Sequence, residues 1–210
     1  MLKRFAAALA LLIAAPLAAQ SMEVAIDPEV VPVVLETTMG DITVEVDIER
    51  APVTAGNFLR YVDEKRLDGT VFYRAMRLDW GDQPNGLIQG GTQGDPKRVL
   101  KPIAHERTSD TGLSHLRGAL SMARYDPGTA TGDFSIMLQT QPGMDADPDN
   151  PDPALRDGYA AFGYVVAGME VVEAIHAAPT DPAKGEGWMT GQMLAEPVKI
   201  VRARRVTPKP

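Results

Sequence analysis

The sequence predicts a mainly β fold, a closed barrel of strands capped by two α-helices. Three observations predict it. With 17 prolines and 19 glycines in 210 residues, the chain must turn often, which suits strands with short connections rather than a helical bundle. Most apolar runs are short, β-branched and alternating, which is the period of a half-buried strand. Only two stretches carry apolar residues at helical spacing. Strands at short spacing that must hide their edges close most simply into a barrel.

The first residues read as a leader rather than as fold. Met1-Leu2-Lys3-Arg4 is a short positive segment, and Phe5 to Leu17 is an apolar run too short to span a bilayer. Leu17-Ala18-Ala19 offers small residues for cleavage before Gln20. The expected organisation is a signal peptide over 1–19, an arm over 20–32, one domain over 33–206 and a tail over 207–210. Such a leader directs the chain to the periplasm or outside the cell, with no stable membrane anchor. With no cysteine, disulfides, thiolate metal sites, cysteine nucleophiles and a lipidated cysteine are excluded. The net charge of -7 comes without a basic patch, which argues against nucleic acid as a partner.

Val33–Thr37 and Asp41–Val46 alternate about Met39-Gly40-Asp41 and read as a hairpin. Ala51-Pro52 starts a helix in which Ala55, Phe58, Leu59 and Val62 form one apolar face. Asp68-Gly69 then turns the chain into two apolar runs. One ends on Phe72-Tyr73-Arg74, and the other runs Leu87-Ile88-Gln89-Gly90-Gly91. A cation and an amide at two strand ends could converge on one carbonyl-bearing ligand. Gly94 to Arg117 is loop-like, and Gly118–Ala123 is a small-residue strand. Phe134, Ile136 and Leu138 alternate with polar or flexible neighbours in a half-buried strand. Met144 to Pro153 is an acidic, proline-rich excursion. Ala160–Val166 is a strand, Met169–Ile175 a short helix and Pro197–Val206 a closing strand.

The order of these motifs resembles a bacterial, secreted cyclophilin-type peptidyl-prolyl cis/trans isomerase. The resemblance covers Val33 to Val206. It is carried by Thr38-Met39-Gly40-Asp41, Ala51-Pro52-Val53-Thr54-Ala55-Gly56-Asn57-Phe58, Phe72-Tyr73-Arg74 and Leu87-Ile88-Gln89-Gly90-Gly91. It continues in Arg117-Gly118-Ala119-Leu120-Ser121-Met122-Ala123-Arg124, Thr129-Ala130-Thr131 and Tyr159-Ala160-Ala161-Phe162-Gly163.

The resemblance implies an eight-stranded antiparallel barrel closed by two helices, acting on proline-containing polypeptides as a monomer without a cofactor or metal. It implies Arg74 as the catalytic arginine and Gln89 as the residue that positions it and the substrate backbone. Leu87 takes a pocket position usually held by methionine. Ala123 and Leu155 match groove positions, and Tyr159 stands where a histidine is common. The implied chemistry is non-covalent. An X-Pro bond isomerises in roughly tens to hundreds of seconds unaided, against a barrier set by amide resonance. A donor aimed at the prolyl nitrogen stabilises only the twisted state. Reaching about 10–1000 turnovers per second needs roughly 4–7 kcal/mol.

The chain departs from that pattern at the pocket. Gly86 stands where the family has phenylalanine, and Gly132-Asp133-Phe134-Ser135-Ile136 replaces Ser-Gln-Phe-Phe-Ile. Phe134, Ile136 and Leu138 must share the core face, so Asp133 and Ser135 face the groove. Losing apolar walls weakens proline binding, about tenfold to a hundredfold by burial arithmetic. An Asp133–Arg74 pair would compete with catalysis. Ala154 replaces a tryptophan of some members. The lengthened segment Arg77 to Gly86 holds Trp80, for which two readings stand: it covers the groove and replaces a missing ring, or it packs on its own loop.

Other constellations point to structure. Asp145, Asp147, Asp149 and Asp152 lack the glycine and closing glutamate of a calcium loop. His105, His115 and His176 lack metal-ligand spacing. Ser121 and Ser135 show no His/Asp partners in a nucleophile elbow. Glu106 reads as a structural hydrogen-bonding residue. Lys184-Gly185-Glu186-Gly187-Trp188 is a poor phosphate cradle, because it does not open a helix. Three readings compete: an isomerase for exported proteins, resting on Arg74 and Gln89; a low-activity chaperone or proline-segment binding module, resting on Gly86, Asp133 and Ser135; and a structural barrel with an inactive groove.

Overall fold

The computed structural model describes residues 30–206. The expected leader, the tail and residues 20–29 of the expected arm lie outside the described residues. The elements run β1 Val30–Thr37, β2 Gly40–Asp47, α1 Pro52–Asp63, β3 Val71–Arg77 and β4 Gly86–Gly91. They continue with α2 Thr108–Thr111, β5 Ala119–Met122, β6 Phe134–Met137, α3 Pro153–Asp157, β7 Ala160–Ala167, α4 Met169–Ala177 and β8 Met193–Arg205. The eight strands close into a barrel in the order β1-β2-β7-β5-β6-β4-β3-β8, with β8 pairing back onto β1. Each ladder is antiparallel. No described helix is long and apolar enough to cross a membrane.

The hairpin β1–β2 pairs Val33 with Val44 and Leu35 with Ile42, all buried. At its turn the Thr37 hydroxyl donates to the Gly40 carbonyl at 2.6 Å and accepts from the Met39 amide at 3.1 Å. On α1, Pro52 opens the first turn, and Ala55, Phe58, Leu59 and Val62 are buried. The free amides of Val53 and Thr54 donate to the Glu106 carboxylate at 3.0 and 2.7 Å. Glu106 therefore caps a helix start, where an anion is favoured. On α4, Val172 and Ile175 enter the core. Arg77 reaches its far end and donates to the carbonyls of His176 and Ala178.

The core is organised by rings. Phe134 meets Phe58 edge-on at 5.2 Å between ring centres and Phe72 at 5.8 Å. Phe162 lies 5.2 Å from Phe58. Phe134, Ile136 and Leu138 are all buried, so the alternation that turns Ser135 outward holds in the structure.

Three boundaries differ from the sequence reading. Residues 30–32 of the expected arm are strand, because Val30, Val31 and Pro32 pair with Asp47, Val46 and Glu45. The closing strand begins at Met193, not Pro197. Its pairing with β3 jumps from Phe72↔Val198 to Arg74↔Met193, and Pro197 sits in the displaced segment, where its missing N–H is tolerated. Two short helices, α2 and α3, join the two capping ones.

Candidate active site

The site begins with an irregularity in β3. Strict alternation from Phe72 would send Arg74 into the core. Instead the pairing with β4 slips between Phe72↔Gly90 and Arg74↔Gln89, leaving Tyr73 as an extra residue. This bulge re-aims the strand, so that Phe72 and Ala75 both enter the core, three positions apart. Arg74 then lies on the outer face beside Gln89. Gly90 allows the close approach, since a Cβ there would lie 2.7 Å from the Phe72 ring. Farther along the same face, Met76 and Leu87 pack with Met137, Ala119, Met144 and Tyr164 into a small apolar floor.

Arg74 is only 4% exposed, and its guanidinium is held from several sides. Nη1 donates to Gln89 Oε1 at 2.6 Å, and Nε donates to Gln192 Oε1 at 2.9 Å. The Trp188 ring lies on the guanidinium face, 4.5 Å from Cζ to its centre. Nη2 is buried and has no hydrogen-bond partner among the described residues. Burial lowers the Arg74 pKa, and the nearby Tyr73 and Tyr159 hydroxyls act against that shift. The Tyr73 hydroxyl, near Gln89, has its pKa pushed up chiefly by burial and next by Asp133. Across the sheet, Gln89 faces Ser135, and Ser135 faces Ser121.

This barrel with an outward arginine–glutamine pair has relatives. Residues 32–205 match the family described as cyclophilin type peptidyl-prolyl cis-trans isomerase/CLD. The chain belongs to the cyclophilins. A peptidyl-prolyl cis-trans isomerase of Acinetobacter baylyi is 34% identical over 171 residues, covering 80% of this chain and 81% of that protein. Peptidyl-prolyl cis-trans isomerase A of Dickeya dadantii is 36% identical over 154 residues, covering 71% and 73%. The fold is shared with a Cryptosporidium parvum cyclophilin crystal structure at a TM-score of 0.63 and 20% identity, covering 86% of this chain and 99% of that one.

In this cyclophilin the residues expected at the groove fall into two groups. Arg74, Gln89, Leu87 and Ser135 share the outer face of neighbouring strands. Tyr159 stands close enough to influence Arg74, and its own ring lies under Arg124, 4.7 Å from that guanidinium carbon. The Ala123 amide donates to the Asp133 carbonyl at 3.0 Å, extending the β5–β6 ladder by one bond. Leu155 is exposed on α3, outside the hydrogen-bonded set.

The Asp133–Arg74 pairing is overturned, and of the two readings of Trp80 the one that keeps it on its own loop is favoured. Asp133 does not pair with Arg74; its carboxylate accepts the Gln93 amide at 2.8 Å, and burial raises its pKa. Trp80 is not the ring over the arginine. It is 55% exposed, and its carbonyl accepts from Gln83 and Asn85, tying the loop to itself. Arg74 and Gln89 lie three pairs from the Arg77↔Gly86 end where that loop begins, roughly 10 Å along the strand. Gly86 is also more than a lost ring. Its φ is +126°, and a Cβ would lie 2.0 Å from the Met76 carbonyl oxygen, so no side chain fits.

Sequence reasoning missed Trp188 and Gln192. The available signal was a tryptophan among glycines just before the closing strand, in a segment that reads as a poor phosphate cradle. It also missed the partners of Ser121. His115 Nε2 lies 2.8 Å from Ser121 Oγ, and His115 Nδ1 lies 2.6 Å from Asp145 Oδ1. The three stand in the order of a hydrolytic triad, but Ser121 and His115 are both fully buried, so no acyl group reaches the oxygen. The chain instead pins the acidic excursion to the barrel, since Asp145 also accepts the His115 amide at 2.9 Å.

Proposed function

We propose that this cyclophilin accelerates X-Pro isomerisation with Arg74 as the catalytic donor and no covalent intermediate. The observation that carries the reading is the Nη2 of Arg74, unpaired among the described residues. A buried donor without a partner costs about 1–3 kcal/mol. Here two other guanidinium nitrogens are fixed by Gln89 and Gln192, so the direction of the third is fixed as well. As the X-Pro bond twists, resonance is lost and the prolyl nitrogen becomes an acceptor. A donor that meets it only then lowers the barrier without tightening the ground state. Leu87, Met76 and Met137 offer the apolar floor for the ring.

The test is a proline-peptide isomerisation assay of wild type and Arg74→Ala. The variant should lose about 100-fold or more in kcat/KM. Equally slow rates for the two proteins would end the enzyme reading. A second reading, a proline-segment binding module or chaperone of low turnover, is favoured by the missing rings at Gly86 and Ser135. Peptide binding without turnover would select it. We further propose that the protein serves exported chains, supported by the positive segment and apolar run of residues 1–19. Mass analysis of the protein from its native cell should find an N-terminus near Gln20, and an intact Met1 would count against export.

A further inference from the structure

Trp188 is 70% exposed, yet it is not a loose surface ring. It rides on the 3-10 turn Gly187–Met189, in a loop closed by the Gly191 amide donating to the Lys184 carbonyl at 2.8 Å. The Gln192 side chain binds both halves of the site. Its Nε2 donates to the Trp188 carbonyl at 2.8 Å while its Oε1 accepts Arg74 Nε at 2.9 Å. The Ala75 amide donates to the Gln192 carbonyl at 2.9 Å, fixing the residue against β3. One face of the indole is thus set on the guanidinium, and the rest of the ring faces solvent. Because Arg74 Nη2 is shut off from solvent, a peptide reaches it only if something above it gives way. The exposed indole on the guanidinium face, on a loop with Gly185, Gly187 and Gly191 at positive φ, is one such group.

Resting on the isomerase reading, we infer that Trp188 is a substrate-contacting, specificity-determining residue. It leaves the Arg74 guanidinium as the proline enters and packs on the apolar side chain preceding that proline, while Gln192 positions both. The reach is short. The ring centre is 4.5 Å from Arg74 Cζ, and adjacent residues of a bound peptide lie about 3.8 Å apart at their Cα atoms. An indole face is well suited to an aromatic or large aliphatic side chain. This ring stands at a different place from the pocket rings lost at Gly86 and Ser135, so it selects a neighbour of the proline rather than rebuilding their pocket.

The experiment uses peptides Ala-X-Pro-Phe with X as Phe, Leu or Gly. Only two tryptophans are present, so Trp80→Phe leaves Trp188 as the sole indole, with its own kinetics as the reference. In that background the Phe peptide should shift Trp188 emission to shorter wavelength. Adding Trp188→Ala should lower kcat/KM for the Phe peptide about tenfold more than for the Gly peptide, mainly through KM. Trp188→Phe should restore most of the preference. An equal loss with all three peptides is what a merely structural role predicts, and it overturns the inference. Flat emission at a concentration where calorimetry shows saturation overturns it too. If wild type turns over no peptide, the isomerase reading fails while the emission titration still decides whether Trp188 meets the ligand. If no peptide binds, both fall.

Discussion

Gln192 accepts the Nε–H of Arg74 across 118 positions of sequence, from a loop on one strand to a bulge on its neighbour. With Gln89 on the other side, it fixes the plane of the guanidinium. Removing either amide frees the fork to rotate. Gln192→Ala should therefore lower kcat about tenfold with little change in the melting temperature. Gln192→Glu, which keeps the acceptor but adds a charge, should recover part of the loss. Peptide kinetics and thermal melts of the same variants check both points, and unchanged kcat in Gln192→Ala would remove the positioning role.

Restoring the family's phenylalanine at Gly86 should fail. The φ of +126° is open to glycine, and the new Cβ would lie 2.0 Å from the Met76 carbonyl oxygen. Gly86→Phe should destabilise the fold by about 3 kcal/mol or more rather than rebuild a pocket. A urea titration measures it; a stable, more active variant would show that the loop reshapes freely.

Glu106 links a loop to the start of α1 through two amides, at 3.0 and 2.7 Å. Glu106→Ala should cost about 1–2 kcal/mol, while Glu106→Gln should cost less because its oxygen still accepts. Neither change touches the groove, so kcat/KM should stay within about twofold of wild type.

Acid should loosen the barrel through two histidines. Burial lowers the folded pKa of His115, against the pull of Asp145, and lowers that of His176 with help from Arg77. Above the ordinary imidazole value of about 6.5 both folded and unfolded states are neutral, and the packing is intact. As pH falls below it, the unfolded chain binds protons first, so stability is lost toward the folded pKa. Asp133 acts in the opposite sense, since its raised pKa favours the folded state as the carboxyl protonates. The urea midpoint should drop between about pH 7.5 and about pH 5.5, and His115→Asn should drop less than wild type. An equal drop in the variant would move the cause elsewhere.

Local patterning sets which faces are buried. The alternation of Phe134, Ile136 and Leu138 put Ser135 outside, and the helical spacing of Ala55, Phe58, Leu59 and Val62 marked the buried face of α1. Both patterns are local, because side-chain direction follows from backbone period alone. The pairing of Arg74 with Gln89 was also legible, since a short hairpin brings neighbours in sequence together. Tertiary structure decided the rest. The bulge at Tyr73 depends on how β3 registers against β4 and β8, which no local pattern records. Trp188 and Gln192 reach Arg74 because β8 closes the barrel beside β3, more than a hundred residues away in the chain. Asp133 lies just before β6, and the Gln93 amide claims its carboxylate. Partners chosen by barrel closure are set by the sum of all eight strands, and so they become visible only once the strands are in place.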